Sequence, residues 1–98
     1  MAIRFTQYVL PSGRARDEYI TRPAEIEALA DKFKASGGWY EAEILTTGEV
    51  SFTACKMVDG EARDVEIEIC ANGPAVYDAV DRLVKRSVAK VKEPAPDA

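Results

Sequence analysis

The chain predicts an α+β fold of order ββαβββα, an antiparallel-rich sheet with two helices packed on one face and the other face open. Three observations carry this. Two segments have apolar residues at helical spacing, five have strand-like alternation, and Gly or Pro punctuates most of the junctions. Each helical segment has one apolar stripe, so both helices must bury against the same sheet face.

Residues 3–10, IRFTQYVL, alternate with Ile3, Phe5 and Val9 on one side. Pro11-Ser12-Gly13 follows, suiting a three-residue hairpin loop with Gly at the left-handed position. Residues 14–21, RARDEYIT, are then the return strand, and their low apolar content marks a sheet edge. The next stretch, TRPAEIEALADKFKASGG, places Ile26, Leu29, Ala30 and Phe33 at i, i+3, i+4 and i+7. Pro23 suits the first turn, and Gly37-Gly38 end the helix. Glu25 and Glu27 come early and Lys32 and Lys34 late, in agreement with the helix dipole.

Strands are expected at about 39–46, 49–57 and 63–70, joined by Thr46-Thr47-Gly48 and Asp59-Gly60. Pro74 turns Asn72-Gly73 from a hairpin signal into a helix start, with Gly73 as N-cap. The last helix carries Val76, Val80, Leu83, Val84, Ser87 and Val91 on one face, bordered by Tyr77 and Val88. Residues 1–92 read as one domain. EPAPDA, 93–98, reads as a disordered tail.

Turn chemistry predicts a register. A three-residue loop at 46–48 pairs Ile44 with Val50, Ala42 with Phe52 and Tyr40 with Ala54. A two-residue turn at 59–60 pairs Ala54 with Val65, Phe52 with Ile67 and Val50 with Ile69. The open face then carries Glu41-Thr53-Glu66 and Glu43-Ser51-Glu68 as rows. Trp39-Cys55-Asp64 lie at one end and Leu45-Glu49-Cys70 at the other. Cys55 and Cys70 fall about 20 Å apart, beyond disulfide reach, so both thiols are expected free.

Composition bounds the chemistry. The 98 residues carry a net charge of −4 and no histidine. That excludes Ser-His and Cys-His catalytic pairs and the commonest metal ligand, and two cysteines cannot close a structural zinc site. No convergent pocket motif suggests an enzyme, a metal or a cofactor. There is no apolar run of the roughly 20 residues that a membrane helix needs. The N-terminus reads as a strand rather than a signal peptide, which points to the cytoplasm.

Two surfaces are candidates. Residues 38–73 hold eight acidic and two basic residues, −6 against −4 for the chain. Glu41, Glu43, Glu66 and Glu68 around Ser51 and Thr53, with Trp39 nearby, would dock a basic protein partner or a second copy. The blander reading is the solvated side of an antiparallel sheet. Residues 1–22 carry four arginines and two acids. Arg4, Arg14, Arg16 and Arg22 would instead contact the phosphates of a nucleic acid. Its bland counterpart is a charge-protected edge. The primary expectation is therefore a small non-enzymatic interaction or regulatory module; the alternative is a nucleic-acid binder. Asn72-Gly73-Pro74 lacks the spacing of a phosphate loop, and neither thiol has a base beside it.

In element order and length, residues 22–92 resemble a double-stranded RNA-binding domain. That family starts its second helix with phosphate-contacting lysines, where this chain has NGPAVYDAV. Its Gly-Pro-aromatic pattern near the first strand is replaced by SGGWYEAEI. An acidic meander also opposes phosphate binding, so RNA binding is not carried over.

Overall fold

In a computed structural model describing residues 2–92, the elements are β1 (Ile3–Val9), β2 (Arg14–Ile20), α1 (Ala24–Ala35), β3 (Gly38–Ile44), β4 (Val50–Val58), β5 (Glu61–Cys70) and α2 (Ala75–Lys92). The reading of 93–98 as a tail lies outside the described residues. The five strands form one sheet in the order β2-β1-β3-β4-β5. All pairs are antiparallel except β1 with β3, which is parallel because β2 ends beside the start of β1 and α1 delivers the chain to the start of β3 at that same end of the sheet. β2 and β5 are the edges. The α1-β3-β4-β5-α2 order is that of the double-stranded RNA-binding resemblance, and the β1–β2 hairpin extends the sheet beyond β3.

The core lies between the sheet and the two helices. Phe5, Tyr40, Ala42, Phe52 and Ala54 project from the strands to meet Ile26, Ala30 and Phe33 of α1 and Ala79, Val80, Leu83, Val84 and Val88 of α2. Its centre is aromatic: Phe5 packs edge-on against Phe52, with centroids 5.3 Å apart, and Tyr40 lies between Phe5 and Phe33. Ser87 sits in the apolar stripe of α2 for a reason. Its hydroxyl donates to the Val84 carbonyl (2.9 Å), so the buried Tyr40 hydroxyl must donate to Ser87 Oγ (2.9 Å), and both polar atoms are satisfied. Burial, only partly offset by that bond, pushes the Tyr40 phenol up to about 12.

Local chemistry accounts for most junctions. Pro23 acts as the N-cap of α1 rather than its first residue. The Glu27 carboxylate reaches back to accept the Arg22 N–H (2.7 Å). Gly37 (φ +100°) turns the chain out of the helix. Gly38 is needed for a different reason: a Cβ there would stand 2.3 Å from the Phe33 ring. The first hairpin loop takes in Leu10 as well as Pro11-Ser12-Gly13, four residues where three were expected, since Val9 pairs with Arg14. Asp59 (φ 52°) and Gly60 (φ 81°) form the expected two-residue turn, closing Val58 onto Glu61. Arg22 and Asp81 make a two-pronged ion pair at 2.8 Å that ties the start of α1 to α2, and Tyr77 lies under the guanidinium.

The β3–β4 register is the predicted one: Ile44 faces Val50, Ala42 Phe52 and Tyr40 Ala54. The β4–β5 register starts as predicted, with Cys55 opposite Asp64, and then shifts. A β-bulge leaves Val65 unpaired, and beyond it Ala54 faces Glu66, Phe52 faces Glu68 and Val50 faces Cys70. The expected pairs Ala54–Val65, Phe52–Ile67 and Val50–Ile69 are therefore not formed. One extra residue reverses every later side chain on β5.

Candidate functional site: the open sheet face

The bulge rewrites the open face. Glu41 and Glu43 stand on it as predicted, with Thr53 and Ser51 opposite them on β4. Glu66 and Glu68 do not. They project to the other side, beneath α2, and their places are taken by Ile67 opposite Thr53 and Ile69 opposite Ser51. The rows are Thr6-Glu41-Thr53-Ile67 and Tyr8-Glu43-Ser51-Ile69. Trp39, Cys55 and Asp64 share the end row as expected. Cys70 faces the helix side and pairs with Val50, so the expected Leu45-Glu49-Cys70 row is broken.

Electrostatics and spacing explain the reversal. Glu68 accepts from Arg82 Nε (3.0 Å) and from Arg86, while Glu66 lies 3.8 Å from both Arg86 and Lys90. Residues 82, 86 and 90 are one turn apart, about 6 Å along the helix. Residues 66 and 68 are about 6.6 Å apart along the strand. The two ladders therefore match in step, with α2 running against β5. Glu68 retains only 11% side-chain exposure and Glu66 20%. In the straight register these carboxylates would face water, and Ile67 and Ile69 would lie under a row of cations. Val65 keeps its place against the core because the bulge turns both it and Glu66 inward.

The face that remains has two halves. Its β4–β5 half is apolar and hydroxylic: Ile67 is 48% exposed, Ile69 56%, and Met57 stands exposed further along β4. The β1–β3 half carries Glu41, Glu43, Tyr8 and Trp39. The Trp39 indole N–H donates to Glu41 Oε2 (2.8 Å), which fixes the ring and occupies that carboxylate. Trp39 and Tyr8 are half-buried, whereas Cys55, directly opposite Trp39, is buried. Its thiol lies 3.8 Å from Asp64, and burial first, then Glu41 and Asp64, push it up to about 12. Burial also raises Cys70. Neither thiol has thiolate character, and both are free.

The arginines do not converge. Arg4 lies on the open face and pairs with Asp17 (3.2 Å). Arg16 projects to the helix side of the hairpin, where it meets Glu18 (2.9 Å) and Gln7. Arg14 shares that side and has no ion pair among the described residues. Arg22 is held in the Asp81 fork, away from the hairpin. The first turn of α2 contains Asp78 and no basic residue. Among the described residues no three His, Cys, Asp or Glu side chains gather to hold a metal ion, and no helix is long and apolar enough to cross a membrane.

No protein-family model, no curated protein and no solved structure matches the chain. One signal for the reversed register was legible in the sequence: Arg82, Arg86 and Lys90 at four-residue spacing can be neutralised by Glu66 and Glu68 only if those glutamates face α2.

Proposed function

We propose that the protein is a small non-enzymatic interaction module that self-associates through the β4–β5 half of its open sheet face. The observation that carries this is the pair Ile67 and Ile69, adjacent on an edge strand, about half exposed and on the face opposite both helices. Neighbouring exposed apolar groups on one strand, with Met57 further along the same face, give a patch that a second copy can cover. A second copy fits better than a basic partner because the acids are largely used within the chain. Glu66 and Glu68 neutralise α2, and Glu41 holds Trp39. A two-fold arrangement centred on Ile67 and Ile69 packs apolar on apolar and leaves Glu41 and Glu43 at the hydrated rim.

Five strands at about 4.8 Å spacing and three rows at about 7 Å give a face roughly 24 by 20 Å. That belongs with small, weak interfaces, so association in the micromolar range is expected. Sedimentation velocity across a concentration series from about 5 to 500 µM tests it. Wild type should shift from monomer to dimer, and Ile67→Lys with Ile69→Lys should remain monomeric at an unchanged unfolding midpoint. A wild type that sediments as one monomeric species throughout refutes self-association. In that case a basic protein surface engaging Glu43 and Glu41 is the next reading, tested by binding of a polylysine peptide to wild type and to Glu43→Ala. A clear gel shift with random DNA or RNA at low salt would favour the nucleic-acid reading, for which the divided arginines supply no single phosphate-facing surface.

A further inference from the structure

β1 and β3 are neighbours, yet they pair only from Thr6 with Glu41 onward. Before that point each strand is held by its other neighbour: Ile3–Phe5 by β2, and Gly38–Tyr40 by β4. The sheet is therefore notched between β1 and the central strand β3. The notch is a cleft of about 370 Å³ lined by Arg4, Thr6, Lys34, Gly38, Trp39 and Tyr40. That volume lies at the lower end of the range of about 300–1,000 Å³ typical of small-molecule sites.

The lining has a definite chemistry. Arg4 approaches from β1 and Lys34 from the last turn of α1, so two cations from different elements meet at one cleft. Burial is the main cause disfavouring the charged form of Lys34; Asp31 opposes it, and repulsion from Arg4 adds a smaller push in the same direction as burial. Arg4 shares its charge with Asp17, at 3.2 Å on the neighbouring strand. Among the described residues, no carboxylate lines the cleft itself. The Thr6 side chain adds a hydroxyl, and Trp39 a wall. The indole cannot swing freely, because its N–H is anchored on Glu41. The hydroxyl of Tyr40 is committed to Ser87, so only the remainder of that residue faces the cleft.

We propose that this cleft binds a small anion carried on a planar ring, its carboxylate or phosphate held between Arg4 and Lys34 and its ring laid against Trp39. Two like charges at one site are relieved by an anion between them, and a guanidinium and an ammonium both donate to carboxylate or phosphate oxygens. A ring of fixed orientation supplies stacking area at little entropic cost. The face residues Ser51, Thr53, Ile67 and Ile69 take no part, so the cleft and the self-association surface stand or fall separately.

Trp39 is the protein's single tryptophan, and its fluorescence reports the site directly. AMP, benzoate and inorganic phosphate are titrated beside the uncharged adenosine and benzyl alcohol. Saturable change is expected with AMP or benzoate, whichever anion fits better, and little with the uncharged pair. Phosphate alone should bind more weakly than AMP. Lys34→Gln and Arg4→Gln should each weaken binding about tenfold, the loss of one charge-assisted hydrogen bond, and Lys34→Arg should retain it. Unfolding midpoints confirm that the variants fold. Absence of a saturable response to any anion overturns the proposal, as does equal response to the uncharged analogues or unchanged affinity in both Gln variants.

Discussion

Threonine at Ile67 and glutamine at Glu68 separate the bulged register from the straight one, because the two registers predict opposite orders of damage. Fully burying an isoleucine side chain is worth about 1.5–3 kcal/mol. Ile67 is 48% exposed and faces Thr53, so Ile67→Thr should cost less than about 1 kcal/mol. In the straight register Ile67 would lie opposite Phe52 in the core. The same change would then leave a void and bury a hydroxyl, at about 2–4 kcal/mol. Glu68 behaves in the opposite way. Its side chain is 11% exposed and sits between Arg82 and Arg86, which are themselves about half exposed. Removing its charge should cost about 1–2 kcal/mol, between the values for surface and buried pairs. In the straight register it would face water and the change would be near neutral. Urea unfolding followed by Trp39 fluorescence reads both, at a concentration where sedimentation shows one species and with an unchanged m-value. The reversed order, Ile67→Thr severe and Glu68→Gln silent, would refute the bulged register and with it the composition of the open face.

Three further outcomes follow from the packing. Ser87→Ala should destabilise by about 1–3 kcal/mol, because the buried Tyr40 hydroxyl loses its acceptor; Tyr40→Phe in the same chain should recover part of that loss in a double-mutant cycle, and strict additivity would argue against the bond. The Arg22 fork holds the Asp81 carboxyl below its ordinary value, so the pair stabilises the fold above pH about 4, and that contribution is lost as pH falls through the depressed value. The stability gap between wild type and Asp81→Asn should accordingly be largest near neutrality and close on acidification below pH about 4; a gap that stays constant with pH would exclude a folded-state shift at Asp81. A thiol reagent at mild alkaline pH should label Cys55 only as fast as the protein opens, since that thiol is buried and its ionisation is pushed up to about 12; immediate modification of both cysteines in the native protein would contradict this.

Local chemistry was sufficient for much of this molecule. The stripe Ile26, Leu29, Ala30, Phe33 can only be helical, and Asp59-Gly60 can only close a tight hairpin, because these patterns act over a few residues. The same is true of the β3–β4 register, where loop length and two apolar faces agree. The N-terminal hairpin was legible as a hairpin with β2 at an edge, but not as a parallel neighbour of β3. That placement rests on contacts between residues more than thirty positions apart. A serine in the α2 stripe makes sense only with the Tyr40 hydroxyl 2.9 Å from it, a contact between residues 47 positions apart.

The candidate site shows the limit most clearly. Alternation in Val65, Ile67 and Ile69 predicts that these residues face the core and that Glu66 and Glu68 face water. Up to Asp64 that reading holds. Beyond it, β5 is the outermost strand and lies under the basic flank of α2, where a carboxylate gains more than an isoleucine from facing inward. The sequence by itself determined the element order, the two turns of the β3–β4–β5 meander, the free cysteines and the presence of Glu41, Glu43, Ser51 and Thr53 on one face. Which side of β5 meets water was settled by the tertiary structure, which sets the Arg82-Arg86-Lys90 ladder of α2 over that strand. Periodicity records only that polar and apolar residues alternate, whereas the sign of the charges across the helix–sheet interface decides which set turns inward.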